Sequence, residues 1–351
     1  MKGWMGKFKS LFLLSTLALV LAGCGRDNLT ALVPKGYGAE SSMNLIILST
    51  VVMLFVFLVV MLVYTIVLIR FRKKKGQEDY IPKQVEGNKT LETVWTVIPI
   101  ILVLILAIPT VAATFDLADD SASGDGINID VTGNQYWWHF EYDDEEITTS
   151  QDMYIPVGER VYIHMLASDV IHSFWVPSIS GKMDVNPENV NTMYLEAYEE
   201  GVYWGKCAEL CGPSHSLMDF KVIAVSPEEY DQWVSDMQDV DPEEEPQDAV
   251  AQDGKALFEE NNCMSCHAIG SSPSAVGPNL TNFANRSTIA GHLDPTKENL
   301  VDWLMDPESI KPGNLMTDAY PALSEEDADS IAEYLLQLDH SDVTPDSAGG
   351  M

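Results

Sequence analysis

The chain has 351 residues, 46% of them hydrophobic, and a formal net charge of -33 at pH 7. This length allows two modest domains beside membrane segments, and so acidic a chain disfavours a nucleic-acid partner and favours a basic protein partner or simple solubility. Apolar residues crowd the N-terminal third and acidic residues dominate from Asp116 onward, which predicts a membrane part followed by soluble parts.

The N-terminus has the pattern of an exported lipoprotein. Lysines precede the apolar run from Leu11 to Leu21, and a small-residue cleavage site follows that ends in Cys24. This resembles the bacterial lipobox, which implies a signal peptide over 1–23 and an acylated segment over 24–42 on the outer face of the membrane. An ordinary signal peptide or anchor with an incidental cysteine is the alternative.

Two apolar runs predict a transmembrane hairpin over 43–116. The first, 43–69, forms a helix of roughly 40 Å at about 1.5 Å per residue, enough to cross a bilayer. The second, from Val94 to Phe115, contains two prolines, which spanning helices tolerate where neighbouring protein satisfies the backbone. Residues 70–75 are basic except for Phe71, and short loops rich in Lys and Arg stay in the cytoplasm. Everything after the hairpin is therefore expected on the outer face.

Residues 117–238 predict a small antiparallel β-sandwich or barrel. Segments such as 127–131 and 161–165 alternate apolar and polar residues, with turn residues between them. Ser226 is followed by proline and two glutamates, which predicts an N-cap and a closing helix to about Met237.

A cluster of soft ligands near the end of this domain predicts copper. Two thiols, an imidazole and a thioether share one loop, and a second imidazole comes from upstream. With one thiolate the set describes a mononuclear blue-copper site, whereas the second thiolate allows two bridged coppers that share an electron. A disulfide or a zinc site is the alternative. The predicted ligands are His172, Cys207, the Glu209 carbonyl, Cys211, His215 and Met218.

Residues 43 to 233 resemble subunit II of cytochrome c oxidase, in which a transmembrane hairpin precedes a cupredoxin domain, a Greek-key sandwich with a binuclear copper centre. The resemblance implies that Glu92 lies near a proton path into subunit I, with a simple interfacial charge as the alternative. It also implies that the Glu209 side chain reaches a magnesium shared with that subunit. The motifs that carry it are 91–99, 133–138, 170–174, 182–184 and 207–218.

The sequence departs from this family in its aromatic cluster. Tyr136 stands where the family usually has Trp, and Trp137 and Trp138 follow it. These three residues are the predicted electron relay, with packing into the sandwich as the alternative role of the tryptophans. The departure indicates a docking surface rebuilt for the chain's own haem domain. His139 and His164 lack ligand spacing and are read as ordinary strand histidines.

The last part of the chain predicts an all-α class I cytochrome c domain over 253–340, after an acidic linker over 239–252. Cys263 and Cys266, followed at once by His267, form the attachment signature of c-type haem, with His267 as an axial ligand of the iron. For the other axial position the sequence favours Met316, which follows an irregular loop. Met305 and His292 are the alternatives.

Three further features of this part resemble a class I cytochrome c. The motif 277–280 is expected to brace the proximal histidine, and helices are predicted over 253–261 and 324–338. Residues 341–351 are expected to form a disordered tail.

Together these features predict the subunit through which electrons enter a respiratory caa-type cytochrome c oxidase in the bacterial cell membrane. The resemblance implies that electrons pass from haem c to the binuclear copper and on to haem a of subunit I, where oxygen is reduced and protons are pumped. Subunit I and other membrane subunits are the implied partners, and a quinol-cytochrome c reductase or a small cytochrome c is the implied donor. The alternatives are a nitric-oxide reductase subunit and a non-enzymatic copper-binding lipoprotein.

Overall fold

The computed structural model describes residues 12–16, 28–72, 76, 81, 84, 86–119, 124, 126–271 and 276–348. Cys24, the cleavage site and the lysines at 73–75 lie outside these residues. The predictions of a lipid anchor and of a cytoplasmic basic loop are therefore based on the sequence alone.

Two long helices form the predicted hairpin. Helix α1 spans Tyr37–Arg70 and helix α2 spans Lys89–Leu117, and both are long and apolar enough to cross a membrane. The side chain of Asn88 caps α2 by accepting hydrogen bonds from the first helical amides, and both prolines lie inside this helix. The helices extend beyond the predicted spans because polar residues continue each helix outside the apolar run.

The first turn of α1 packs against the following domain. The Tyr37 amide donates to the Glu196 carbonyl at 3.1 Å, and the Ala39 amide donates to the Ile179 carbonyl at 2.9 Å. Gly36 permits this approach, since a Cβ there would lie 2.5 Å from the Glu196 oxygen. The soluble domain is thus seated directly on the end of the hairpin.

The second domain consists of two five-stranded sheets, ordered β3-β2-β1-β5-β8 and β4-β10-β9-β6-β7. Both sheets contribute to one hydrophobic core. The strands are β1 (Ile127–Asn134), β2 (Trp137–Tyr142), β3 (Ile147–Ser150), β4 (Asp152–Pro156), β5 (Val161–Ala167), β6 (His172–Trp175), β7 (Lys182–Val185), β8 (Asn191–Leu195), β9 (Gly201–Cys207) and β10 (Phe220–Val225).

The prediction of an antiparallel domain was wrong for two strand pairs. β1 pairs with β5 in parallel, and β10 pairs with β4 in parallel. Alternation of apolar and polar residues is the same in parallel and antiparallel strands, so the sequence pattern cannot distinguish them. These neighbours are parallel because the chain crosses from one sheet to the other between them. Helix α3 (Pro227–Gln238) closes the domain with the predicted capping box between Ser226 and Glu229.

The third domain is helical. Its helix α4 begins at Ala249, earlier than predicted, because Asp248 accepts hydrogen bonds from the amides of Val250 and Ala251 and so caps the helix. The predicted boundary at 252 and 253 therefore falls inside a helix. The helices are α4 (Ala249–Glu260), α5 (Lys297–Met305), α6 (Pro307–Ile310) and α7 (Glu325–Leu335), with a 3₁₀ turn at Cys263–Ser265.

The acidic linker lies along the helical domain. The buried Lys255 ammonium donates to the carbonyls of Glu243 and Glu244, each at 3.1 Å. Val240 packs against the core of the same domain. Buried contacts thus hold the predicted linker on the domain that it precedes.

The expected disordered tail was also wrong for residues 341–348. Val343 and Ala348 are buried in the core of the β-sandwich, and the Ser341 hydroxyl donates to Asp236 of α3 at 2.7 Å. The Asn285 side chain donates to the Ser341 carbonyl at 2.8 Å. The chain thus returns to the β-sandwich after the helical domain, which is attached to that sandwich at both of its ends.

Candidate metal centres

The predicted copper ligands converge between strand β9 and strand β10. The Sγ atoms of Cys207 and Cys211 are 4.0 Å apart, and the Met218 Sδ lies 3.4 Å from the Cys211 Sγ. The His215 Nδ1 is 3.6 Å from the Cys211 Sγ. β9 ends at Cys207 and β10 begins at Phe220, so the sandwich positions both ends of the ligand loop.

His172 completes the cluster from β6, which pairs with β9. Its Nδ1 lies 3.8 Å from the Cys207 Sγ, and its Nε2 is 2.8 Å from the Asp169 carboxylate. Burial alone lowers the pKa of His172, but hydrogen bonds with Asp169 and Cys207 raise it to about 9. Asp169 was missed in the sequence, although a carboxylate is a common partner of the second ring nitrogen of a metal-binding histidine.

The two cysteine thiols are within hydrogen-bond distance of each other. This contact lowers the pKa of Cys207 and raises the pKa of Cys211. The thiolate is the form that binds metal. Two thiol sulfurs, two ring nitrogens and a thioether, gathered at these distances with all three sulfur atoms buried, fit copper. A structural disulfide or tetrahedral zinc site leaves the Met218 thioether unexplained.

Glu209 has two separate chemical groups at this site. Its carbonyl oxygen lies 3.2 Å from the Cys207 Sγ, within the cluster. Its side chain is exposed and so is free to reach a neighbouring subunit. Outside the cluster, His164 contacts Asn128 at 3.2 Å, and His139 packs edge-on against Trp137. These two histidines remain strand residues.

The haem motif borders a large, mostly apolar cavity in the helical domain. Cys263, Cys266 and His267 form one part of its wall, and helices α5 and α7 form others. The His267 Nδ1 donates to the Pro278 carbonyl at 2.8 Å, so the motif 277–280 braces the ring as expected and leaves Nε2 for iron. Burial lowers the pKa of His267 and favours the neutral imidazole that ligates metal. The cavity and its donors fit a haem.

Met316 lines this cavity. Met305 is 45% exposed at the end of α5, and His292 contacts the Ala290 carbonyl; among the described residues neither belongs to the cavity wall. The amide of Met316 donates to the Asn314 side chain at 2.9 Å, which fixes the loop before the thioether.

The cavity also has a wall from the β-sandwich. Tyr136 and Trp137 contribute to it, together with Gln135 and Gln151. Tyr136 is buried and Trp137 is half-buried. Trp138 instead lies in the sandwich core, where its ring packs edge-on against His172 and its Nε1 donates to the Met218 carbonyl at 3.0 Å. The three aromatic residues therefore link the haem cavity to the copper ligands.

Polar contacts hold the two domains together around this shared wall. The Asn279 amide donates to the Ser150 hydroxyl at 3.0 Å, and the buried Lys221 ammonium donates to the Thr288 hydroxyl at 3.1 Å. The Gln135 side chain donates to the Cys211 carbonyl. Ser150 and Lys221 lie in no predicted motif, and the motif 133–138 that contains Gln135 did not predict this contact, so only the fold identifies these three residues as part of the site.

Glu92 is separate from both centres. It is exposed in the first turn of α2. The β-sandwich follows the other end of this helix, so Glu92 lies at the end of the hairpin remote from the copper ligands.

Family profiles match three parts of the chain. The transmembrane domain of cytochrome c oxidase subunit II matches residues 39–112, its periplasmic domain matches 145–225, and cytochrome c matches 251–339.

Relatives match over nearly the whole chain. Cytochrome c oxidase subunit 2 of Alkalihalophilus pseudofirmus is 52% identical over 344 residues, which are 96% of this chain and 99% of that protein. Cytochrome c oxidase subunit 2 of Bacillus subtilis is 44% identical over 349 residues, 94% of this chain and 98% of that protein. A solved periplasmic domain of cytochrome oxidase subunit II from Bradyrhizobium japonicum is 27% identical, covering 31% of this chain and 91% of that chain, with a TM-score of 0.30.

Proposed function

Because the chain belongs to the cytochrome c oxidase subunit II family and carries a fused cytochrome c domain, we propose that this attached domain is the point at which electrons enter the oxidase. The chain is a membrane-protein subunit of a respiratory oxidoreductase and assembles with subunit I. When bound, haem and copper each take up and release one electron at a time. The protein positions the two centres and keeps them close together.

The observation that carries the proposal is the shared wall of the haem cavity. Tyr136 and Trp137 of the sandwich face the same cavity as Cys263 and His267. The copper loop lies directly behind them, since a Cβ on Gly212 would lie 2.4 Å from the Tyr136 hydroxyl. An electron donor held there by its own chain needs no diffusional capture.

We assign His172, Cys207, Cys211, His215, Met218 and the Glu209 carbonyl to a binuclear copper centre. Cys207 supplies the second thiolate that a mononuclear site does not need. Metal analysis of the purified oxidase, together with paramagnetic resonance, should give two coppers in this subunit with one electron delocalised over both nuclei. A localised single-copper signal contradicts the assignment.

We assign covalent haem attachment to Cys263 and Cys266, and the axial positions to His267 and Met316. Met316→Ala should lower the reduction potential of the haem, because the thioether favours ferrous iron. Met305→Ala is the matched control and should leave the potential unchanged. If Met305→Ala lowers the potential and Met316→Ala does not, Met305 is the axial ligand.

The test of electron entry is truncation of the chain after Met237. The shortened oxidase should retain copper but turn over much more slowly with small-molecule donors that reduce haem c. Since truncation also removes Val343 and Ala348 from the sandwich core, copper content must be measured in the same preparation. Equal turnover of a copper-replete truncated enzyme with every donor contradicts the proposal.

The outer-face location of both domains and the acylation of Cys24 are further parts of the proposal. Protease added to intact spheroplasts should release the haem domain, and mass spectrometry of the mature N-terminus should find a lipid on Cys24. Protection of the haem domain contradicts the topology.

Glu209 and Glu92 are proposed to contact subunit I, through a shared magnesium and near a proton path respectively. Glu209→Gln should lower the magnesium content of the oxidase, and Glu92→Gln should slow proton-coupled turnover while leaving the copper and haem spectra unchanged. The external donor is proposed to be a quinol-cytochrome c reductase or a small cytochrome c. The oxidase relatives favour oxygen over nitric oxide as the acceptor and disfavour a copper store.

A further inference from the structure

A single side chain joins the loop before Met316 to the copper ligand loop. Ser214 is completely buried, and its hydroxyl donates to the Pro312 carbonyl at 2.7 Å. Pro312 belongs to the helical domain and Ser214 to the β-sandwich. The bond therefore crosses the domain interface, and its sandwich end is covalently adjacent to His215, a proposed copper ligand.

The helical-domain end of this contact is held firmly. The Asn314 side chain donates to the Lys311 carbonyl at 2.8 Å and accepts from the Met316 and Thr317 amides. The Gly313 amide donates to the Glu308 carboxylate at 2.9 Å. Lys311, Asn314 and Met316 line the haem cavity. The Pro312 carbonyl is thus a fixed acceptor one residue away from the cavity wall.

The sandwich end is equally constrained. The Tyr136 hydroxyl lies beside the copper ligand loop, since a Cβ on Gly212 would lie 2.4 Å from it. Gly313 packs into the same junction, since a Cβ there would lie 3.5 Å from both Pro213 and the Tyr136 hydroxyl. The Ser214–Pro312 hydrogen bond and the Tyr136 hydroxyl therefore lie at the same junction between the two loops.

From this geometry we infer that Ser214 is a positioning residue for electron transfer: its hydrogen bond to Pro312 closes a bonded path from the haem cavity to His215. The inference rests on the proposed function of the attached haem domain. Electronic coupling falls less steeply through covalent and hydrogen bonds than across a van der Waals gap, so a closed bridge favours this route. One electron crosses for each ferrous iron oxidised and each copper centre reduced by one equivalent, and Ser214 keeps its proton.

The bridge is tested in the full-length oxidase with its cofactors by following electron transfer from haem c to copper after photoreduction. Ser214→Ala should slow this step about fivefold. A neutral hydrogen bond contributes about 1 kcal/mol, which corresponds to about a fivefold change in the ratio of bridged to unbridged conformations. Ser214→Thr retains a hydroxyl and should restore the rate. Ser216→Ala is the matched control, since Ser216 is exposed on the same loop, and should leave the rate unchanged.

Two further readouts separate bridging from damage to the copper site. The copper resonance spectrum and both reduction potentials should stay unchanged in Ser214→Ala, while hydrogen exchange at the amides of residues 313–317 should become faster. Tyr136→Phe, which retains the Pro312 bond, should slow transfer less than Ser214→Ala.

An unchanged transfer rate in Ser214→Ala overturns the inference, as does a slower rate accompanied by an altered copper spectrum. A larger effect of Tyr136→Phe overturns it as well, because the path then runs through the tyrosine hydroxyl. None of these outcomes contradicts the proposed function. That proposal is contradicted only if the truncated, copper-replete oxidase turns over as fast as the full-length enzyme.

Discussion

The β-sandwich and the helical domain build their sites in opposite ways. In the sandwich, strands β6, β9 and β10 position a compact cluster of ligands. Cys211 and Met218 of this cluster are themselves part of the hydrophobic core. In the helical domain, the site is a large apolar cavity among helices, closed on one side by the sandwich. We therefore expect copper binding to depend on the fold of the sandwich, and the helical domain to depend on haem to fill its core.

The largest expected effect follows from preventing haem attachment. Replacing Cys263 and Cys266 with Ser should abolish cooperative unfolding of the helical domain, because an unfilled core cavity costs about 24 cal/mol per Å³ and a domain has only about 5–15 kcal/mol of stability. Amide hydrogen exchange, resolved by domain, measures the effect.

The matched variant replaces Cys207 and Cys211 with Ala, which removes the copper thiolates. The sandwich should still unfold cooperatively, because its core consists of side chains from both sheets. If the sandwich loses cooperativity and the helical domain keeps it, the comparison is reversed.

The next largest effect concerns Trp138, which joins the sandwich core to the copper loop. Its ring is fully buried, so Trp138→Ala should lower the free energy of unfolding by about 3–5 kcal/mol and weaken copper binding. Urea unfolding and copper titration measure the two effects. Trp137→Ala, at the half-buried neighbour, should cost less than about 1 kcal/mol; similar losses for both variants contradict this account of the core.

A smaller effect is expected from removing residues 341–351. Val343 is buried against the sandwich core, and burying a valine contributes about 1.5–3 kcal/mol. The deletion should therefore destabilise the sandwich by about 2 kcal/mol and increase hydrogen exchange at the interface between the domains. If the deletion leaves the midpoint temperature of thermal unfolding of the sandwich unchanged, the tail is not part of that core.

The smallest effects come from two helix caps, one in each domain. Ser226 caps α3 of the sandwich and Asp248 caps α4 of the helical domain. Each Ala substitution should cost about 1 kcal/mol. In differential scanning calorimetry, each variant should lower the midpoint temperature of its own domain more than that of the other domain. Equal shifts of both transitions mean that the docked domains unfold as one unit.

Much of this protein could be predicted from local sequence signals. The apolar runs predicted both hairpin helices, because a spanning helix needs length and composition and no particular partner. The spacing of Cys207, Cys211, His215 and Met218 predicted one cluster, since a short loop cannot separate its own ligands widely. His267 and its neighbouring cysteines are likewise a local motif.

Other features depended on contacts between distant parts of the chain. The Ser214 hydroxyl meets the Pro312 carbonyl across 98 residues, and the Asn279 amide meets Ser150 across 129. Periodicity and spacing carry no information on which surfaces of two domains face each other. The tail illustrates this limit, because a polar sequence with few apolar residues predicts disorder until a partner surface buries Val343 and Ala348.

The sequence by itself therefore determined the hairpin, the two soluble domains and the residue types that bind copper and haem. These features follow from helix geometry and from the short reach of side chains along one loop or motif. Only the tertiary structure decided that Tyr136 and Trp137 close the haem cavity, that Ser214 bridges the domains, and that the tail packs on the sandwich. Each of these requires two surfaces to bury one another, and the free energy of that burial depends on shape and pairing across the whole fold.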